Sequence, residues 1–496
     1  MIIAHDLGTT GNKASLHHRD GTLIAAATVG YPVNFSDGGV AEQNPEDWWD
    51  AVASATRQLM SQSHVSPSDI VGIVVSGQMM GAVLLDTSMR PVRPAIIWAD
   101  TRASKQQAQL SEKLGEKDAY QILGHRLSET YSLEKVMWVR DNEPEVWAQV
   151  HRVCVAKDYI VARMTGRLAT DRSDASATNA YDQRTGDWSE DVLRAAGLEK
   201  ELFPEILESI EVMGSVNRAA AAELGLTEGT SVVMGGGDGP LAAVGAGVVA
   251  PEDGAYVCLG TSSWVSFVSQ EPVYDPKMRT FTFNNVVPDT FLPTATMQAG
   301  GASIQWIAEI LSTTASSTDT DNLINAATED VDTRGLYFLP YLLGERSPLW
   351  EPAARGSFLG LARYHTGSHL ARAVMEGVVF NLLSCLRAFE ECGSRFDRIT
   401  AVGGGAQSDV LLQLCSDIWG IPVYRRSIVE EANSLGAAVT ASVGLGLAEF
   451  SAARELSEIT AEFSPRPEIS KAYEDRYPLF LGAIEAVLPW FRRGQE

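Results

Sequence analysis

The chain has 496 residues, 45% hydrophobic and 21% charged, an ordinary globular composition too long for one core, so two domains of about 200–250 residues are predicted. A net charge of -24 argues against a nucleic-acid surface or an anionic membrane as partner. It does not argue against ATP, whose phosphates can be held by backbone N–H groups and a metal ion.

The five cysteines, Cys154, Cys258, Cys385, Cys392 and Cys415, form no C-x-x-C. The N-terminus shows no secretory leader, and no apolar run approaches membrane length. A reduced, cytoplasmic protein is expected, with a homodimer left open.

Ile2 to Ala4 reads as a strand that turns through Asp6-Leu-Gly-Thr-Thr-Gly-Asn-Lys13 into a second, Ala14 to Leu16. Asp20-Gly21 makes the next hairpin turn. The Gly-Thr-Thr-Gly turn offers N–H groups and the hydroxyls of Thr9 and Thr10 to a phosphate. Lys13 is close by, and Asp6 can hold Mg²⁺ through water. Hairpins also use Gly and Thr for conformational reasons alone.

Asn44-Pro45 starts a helix whose apolar face is Trp48, Trp49, Val52 and Ala53. Ile70 to Ser76 is a buried strand that empties into Gly77-Gln-Met-Met-Gly81. Val83 to Asp86 and Ala95 to Trp98 follow, the latter ending in Ala99-Asp100-Thr-Arg102. Ligands bind at the C-terminal ends of such strands, which makes Gln78, Met79, Met80, Trp98, Asp100 and Arg102 candidate substrate contacts. Core packing is the competing reading for the methionine pair.

Leu133 to Val139 is predicted helical, with Lys135 and Trp138 on one face, and Val153 to Thr165 forms another helical region. Thr170 to Thr178 is a polar, small-residue loop, read either as lining a sugar site or as a solvated connection.

Near the middle of the chain, Val232, Val233 and Met234 run into Gly235, Gly236 and Gly237, and Asp238 follows ahead of a small-residue helix. A carboxylate at a Gly-rich strand end reads as an active-site base; a helix cap is the plain alternative. Gly254 to Leu259, Gly260-Thr-Ser-Ser263 and Val265 to Val268 then repeat the N-terminal strand–turn–strand layout. Two such turns suggest related domains whose phosphate loops face each other across a cleft.

Gln298-Ala-Gly-Gly-Ala302, with Gly300 and Gly301, opens a helix carrying Ile304, Ile307 and Leu311. Ser312 to Asp321 reads as an exposed loop, and Leu336 to Leu342 as a strand leading to Gly344-Glu-Arg-Ser-Pro348. Ile399 to Val402 runs into Gly403-Gly-Gly-Ala-Gln-Ser-Asp409, a strand-to-helix turn against which a nucleotide can lie, with Gly404, Gly405 and Gln407 as contacts. Residues 447–496 look helical and peripheral.

No P-loop is present, and Gly237-x-Gly239-x-x-Ala242 lacks the later acidic residue of a dinucleotide fingerprint. His365 and His369 are four apart, a weak metal signal.

The chain resembles the FGGY carbohydrate kinases to about residue 445. The resemblance rests on Asp6-Leu-Gly-Thr-Thr-x-x-Lys13, Lys135-x-x-Trp138, Gly260-Thr-Ser262 and Gly403-Gly-Gly-Ala406. Gly356-Ser-Phe-Leu-Gly-Leu361, continuing to His369-Leu-Ala-Arg-Ala-Val-Met-Glu376, adds a specific second signature.

Within the family it is most similar to xylulose kinases, through Ser76-Gly-Gln-Met79, Arg93-Pro-Ala-Ile-Ile-Trp98, Lys157-Asp-Tyr159 and Gly235-Gly-Gly-Asp238. It departs from them at Met80, where they carry His, and at Gly239, where they carry Asn. Asp238-Gly-x-Leu-Ala and Gly344-Glu-Arg-Ser-Pro-Leu-Trp350 are instead similar to gluconate kinases.

The resemblance implies an α/β fold of two actin-like (ribonuclease H-like) ATPase domains facing each other across a catalytic cleft, each with a five-stranded sheet. The sugar-binding domain would be residues 1–245 and the nucleotide-binding domain 246–446, with 447–496 a helical tail packed on the second. It implies ATP, Mg²⁺ and transfer to a primary hydroxyl of an open-chain sugar. Asp238 would be the base and Asp6 would position Mg²⁺. Thr9, Thr10, Lys13, Gly260 and Thr261 would face phosphates, with Gly300, Gly301, Gly404, Gly405 and Gln407 around the nucleotide.

D-xylulose or a related pentulose is the expected substrate, with D-xylulose itself accepted but not optimal and a related polyhydroxy substrate doing better; a sugar acid or polyol is the alternative. Rivals of another class are an actin-like chaperone ATPase, for whose peptide-binding domain the tail leaves no room, and an inactive sugar sensor.

Overall fold

The N-terminal turn is a hairpin between β1 (Ile2–Leu7) and β2 (Gly11–His17), and β3 (Leu23–Gly30) extends it antiparallel. On the other side of β1, β4 (Gly72–Gly77) pairs parallel. The structure is a computed structural model describing residues 1–19, 21–311, 331–428 and 431–493. The readings at Asp20 and over Ser312 to Asp321 lie outside the described residues. With β5 (Val212–Ser215) and β6 (Ser231–Gly237), the first sheet has six strands in the order β5-β6-β4-β1-β2-β3.

Strand alternation explains what covers this sheet. Ile3 and Leu7 point to one face, under helix α1 (Pro45–Ser63), whose Trp48, Trp49, Val52 and Leu59 are buried there. α1 begins as the sequence predicts, with the Asn44 side chain accepting from Glu46 N and Pro45 in its first turn. Ile2 and Ala4 point to the opposite face.

On the way to β6 the chain forms α2 (Ser132–Asn142), α3 (Ala156–Thr165) and the short α4 (Arg172–Ser176). The predicted helix from Val153 begins later, because Arg152–Cys154 is a strand paired with Val83–Leu85. Thr170 to Thr178 is not a solvated connection. It forms a strand end and α4, and Thr170, Asp171, Ser173, Asp174 and Ser176 are all buried.

The second sheet repeats the first. β7 (Ala255–Leu259) and β8 (Ser263–Phe267) form the hairpin. β9 (Phe281–Asn284) and β10 (Phe291–Met297) extend it antiparallel, and β11 (Ile399–Val402) pairs parallel with β7. β12 (Val423–Arg426) and β13 (Ile459–Phe463) complete seven strands in the order β9-β10-β8-β7-β11-β12-β13. The sheets therefore have six and seven strands instead of five, because antiparallel edge strands (β5; β9 and β13) are added.

β13 corrects the reading of residues 447–496 as helical. The tail strand joins the sheet, and Phe480 and Phe491 of the last helix, Pro467–Arg493, are in the core of the second half. Among the described residues one helix, Gly367–Glu391, is long and apolar enough to cross a membrane, and most of it is buried in that same core. All five cysteines are free.

Two helices join the halves. α5 (Asp238–Gly245) leaves β6 and sets Ala242, Ala243 and Ala246 against Tyr256 and Val402 of the second sheet. α6 (Ala432–Gly444) leaves the second sheet and sets Leu435, Ala438 and Val439 against Ile2, Ala4 and Val74 of the first. They lie so close that a Cβ on Gly245 would run into the Ala432 carbonyl, and one on Gly436 into that of Leu241. Each sheet is thus covered by a helix belonging to the other half.

Candidate active site

β6 leaves its register beside β4 between Val233 and Gly236. There Gly235 has φ +72°, and any Cβ would strike the Val75 carbonyl. The bulge delivers Asp238 to the first turn of α5 at the mouth between the sheets. Its Oδ1 accepts from Gly239 N at 2.8 Å. Burial, with the Asp6 charge added, pushes its carboxyl up to about 7. A carboxyl poised near neutrality can accept a proton from a hydroxyl.

Asp6, near the end of β1, is buried. Among the described residues its Oδ1 has no hydrogen-bond partner, and Oδ2 meets Asn433 Nδ2, from the N-terminus of α6, at 3.5 Å. Burial raises its carboxyl as well, with Lys13 opposing.

The Gly8–Thr10 turn beyond it is tied down by side chains. Gln43 Nε2 donates to Thr9 O at 2.7 Å, Trp98 Nε1 to Thr9 Oγ1 at 2.9 Å, and Gln78 Nε2 to Gln43 Oε1 at 2.8 Å.

Asp238 opens on a cavity of about 160 Å³. Met79, Met80, Trp98 and Gly239 line it, as the sequence reading proposes for the substrate site. Gln78, Asp100 and Arg102 do not. Gln78 supports the turn through Gln43, and Asp100 and Arg102 are held in one network. Asp100 accepts from Ala41 N at 2.7 Å, and Arg102 pairs with Asp100 and Glu42 at 2.6 and 2.8 Å. The Arg102 guanidinium also lies 4.8 Å over the Trp138 ring.

Lys135, on α2, shapes the wall from behind by donating to Met80 O at 2.7 Å and to Thr130 O. Burial lowers its ammonium to about 7.

Most of the remaining wall comes from the second half and lies outside the predicted substrate contacts: it includes Tyr256, Trp264, Phe281, Phe283, Arg346 and Trp350, with Thr130 and Tyr131 from the first. Arg346 and Trp350 belong to the Gly344–Trp350 motif, and Tyr256 to the predicted strand Gly254 to Leu259. Among the described residues no ion pair is formed by the Arg346 guanidinium. Glu345 beside it is occupied with Gln298 N, Arg346 N and Asn381 Nδ2. Nothing in the sequence pointed to Asn433.

A second cavity, about 890 Å³, lies against the second sheet. Gly260, Thr261, Gly301, Gly404, Gly405 and Gln407 line it, together with Ile304, Asp409 and Arg425. Thr9, Thr10, Lys13 and Gly300 are outside its lining. Thr261 and Ser262 connect the cavities: Thr261 borders the large one, Ser262 the small one, and both border the cleft mouth.

His365 and His369 show no sign of metal binding. Their Nδ1 atoms accept from Ala362 N and Thr366 N, and among the described residues no group of three or more acidic, His or Cys side chains gathers for a metal.

Two duplicated sheets, a carboxylate at a strand end and a larger glycine-lined cavity across the cleft define a two-domain phosphotransferase. Residues 1–245 match the N-terminal domain of the FGGY family of carbohydrate kinases and residues 255–445 its C-terminal domain, and the chain belongs to that family. It is a sugar kinase.

The chain is 33% identical to the xylulose kinase of Bacillus subtilis, over 97% of this chain and 95% of that one. It is 30% identical to the gluconokinase of the same organism, over 97% and 94%. The ligand-bound xylulose kinase structure from Lactobacillus acidophilus superposes with a TM-score of 0.93 at 27% identity, covering 99% of both chains.

Proposed function

We propose that the chain transfers the γ-phosphoryl group of ATP to a primary hydroxyl of an open-chain pentulose of the D-xylulose kind, in the cytoplasm. The observation that carries this reading is Asp238, held near neutrality at the floor of a small aromatic cavity, one loop away from a glycine-lined cavity of nucleotide size. The likeness to xylulose kinases supports the choice of acceptor.

In this reading Asp238 takes the hydroxyl proton as the oxygen attacks phosphorus and the bond to ADP breaks. Thr261 and the Gly260 backbone hold the transferring phosphate, with Thr9, Thr10 and Lys13 facing it from the first half. Gly404, Gly405 and Gln407 hold the adenosine. The buried Oδ1 of Asp6, without a hydrogen-bond partner among the described residues, fits a magnesium ion bound through water. Such an ion would neutralise charge on the phosphates, while alignment remains the protein's own task.

A second reading, a sugar acid as acceptor, is favoured by Arg346. A guanidinium without an ion pair suits a carboxylate, and Met80 and Gly239 leave the cavity without the His and Asn of xylulose kinases. Measuring ADP release across pentuloses, pentitols and sugar acids decides between them. The first reading expects D-xylulose or another pentulose among the substrates turned over. Turnover of sugar acids alone would replace it with the second.

A further inference from the structure

Behind the ends of β4 and β6, away from both cavities, lies a buried charged cluster that the phosphoryl-transfer chemistry does not use. Lys157 Nζ, at 0% exposure, is 2.7 Å from Asp158 Oδ1, 3.2 Å from Asp171 Oδ1 and 3.4 Å from Asp174 Oδ2. Three carboxylates around one ammonium, all out of water, is a poor device for stability, since apolar side chains of similar volume generally do as well or better. What the cluster does supply is direction.

Asp171 Oδ2 accepts from Ser173 N at 2.9 Å, Ser173 Oγ at 2.5 Å and Ser209 Oγ at 2.7 Å. The Ser173 proton is therefore committed to Asp171, and its oxygen is left to accept from Gly237 N at 2.9 Å. Gly237 is the residue before Asp238. The contact is tight on both strands. A Cβ on Gly236 would lie 2.9 Å from Ser173 Oγ, and one on Gly77 would lie 3.0 Å from Lys157 Cβ. Lys157 orients Asp171, Asp171 orients Ser173, and Ser173 fixes the peptide from which the base projects.

We infer that Ser173 is a positioning residue for Asp238, with Asp171 and Lys157 fixing its hydroxyl. The inference rests on the reading of Asp238 as the base. Ser209 provides the control, because it bonds the same Asp171 oxygen but does not reach Gly237.

The test compares Ser173→Ala, Ser209→Ala and Asp238→Asn in the full chain, with kcat and KM on the best sugar, ADP affinity by calorimetry and melting temperature. The expected result for Ser173→Ala is a fall in kcat of about 10- to 100-fold, the usual scale for a misplaced catalytic group, with KM for ATP and ADP affinity unchanged. Ser209→Ala should lower the melting temperature comparably while keeping kcat within about twofold.

Equal kcat losses in the two serine variants, or none in Ser173→Ala, would overturn the inference. If Asp238→Asn itself stays active, the base reading fails instead. Should Ser173→Ala not fold, Ser173→Cys, whose sulfur accepts hydrogen bonds weakly, takes its place with the same split expected.

Discussion

The two halves share a plan and use it differently. Each has a hairpin with a Gly-Thr turn, a parallel neighbour strand and a helix lent by the other half. In the first half the turn is braced by side chains, from Gln43, Trp98 and Tyr31. In the second the bracing is mostly backbone, Gly301 N to Gly260 O at 2.8 Å and Ala302 N to Thr261 O at 3.0 Å, with the turn's own Ser263 Oγ also donating to Gly260 O at 3.3 Å. The first half gathers acidic groups at its strand ends, with Asp6 and the Lys157 cluster buried and Asp238 half-buried. The second exposes glycine backbone around a cavity more than five times larger. Proton transfer needs carboxyls whose surroundings tune them; holding a nucleotide needs room and N–H groups.

If that division is right, removing the tuned carboxyl should produce the largest effect. Asp238→Asn should cut turnover by about 10²–10⁴-fold, the usual loss for a general base. The same change should raise the melting temperature of the ligand-free protein at pH 8. A carboxyl whose folded value is raised destabilises once ionised, so the gain grows from about pH 4 to pH 7 and is level above. Turnover near that of the parent would break the comparison.

The next effect sharpens the acceptor side. Met80 has φ +62°, a backbone region that His tolerates comparatively well, and a Cβ on Gly239 would meet only Met79 Sδ, at 4.0 Å. Met80→His with Gly239→Asn therefore has room. Each restored hydrogen bond is worth roughly 1–3 kcal/mol, or about 5–150-fold. Efficiency on D-xylulose should rise at least fivefold, as steady-state kinetics would register. A fall would mean that the cavity is built for another acceptor.

A smaller effect follows from pH. The free enzyme needs Asp238 ionised, so kcat/KM should drop about tenfold per unit below pH 7 and level off above. A profile flat down to pH 5 would remove Asp238 from the role of base.

Asp238 and both Gly-Thr turns were legible in the sequence because glycine runs beside a lone carboxylate or hydroxyls have few purposes. Two kinds of fact were hidden. Polarity leaves Thr170 to Thr178 open between a sugar-site lining and a solvated connection, because the cation that permits its burial, Lys157, stands earlier in the chain on α3. Asp100 and Arg102 read as substrate contacts, yet they find each other and Glu42. The aromatic wall was invisible for another reason. Phe281, Phe283 and Trp350 reach the Asp238 cavity only when the second sheet closes over the first, a long-range arrangement that no local pattern encodes.

Titrating ATP by calorimetry into Asp238→Asn and Gly405→Val tests the division most directly. A Cβ on Gly405 would lie 2.8 Å from Leu259 Cβ and 3.0 Å from Leu259 O, so valine must displace the glycine-rich loop that lines the larger cavity. The account predicts parental ATP affinity in Asp238→Asn, despite its lost turnover, and affinity weakened about tenfold or more in Gly405→Val, the order of one lost interaction of 1.4 kcal/mol. Loss of ATP binding in Asp238→Asn, with Gly405→Val binding normally, would contradict it.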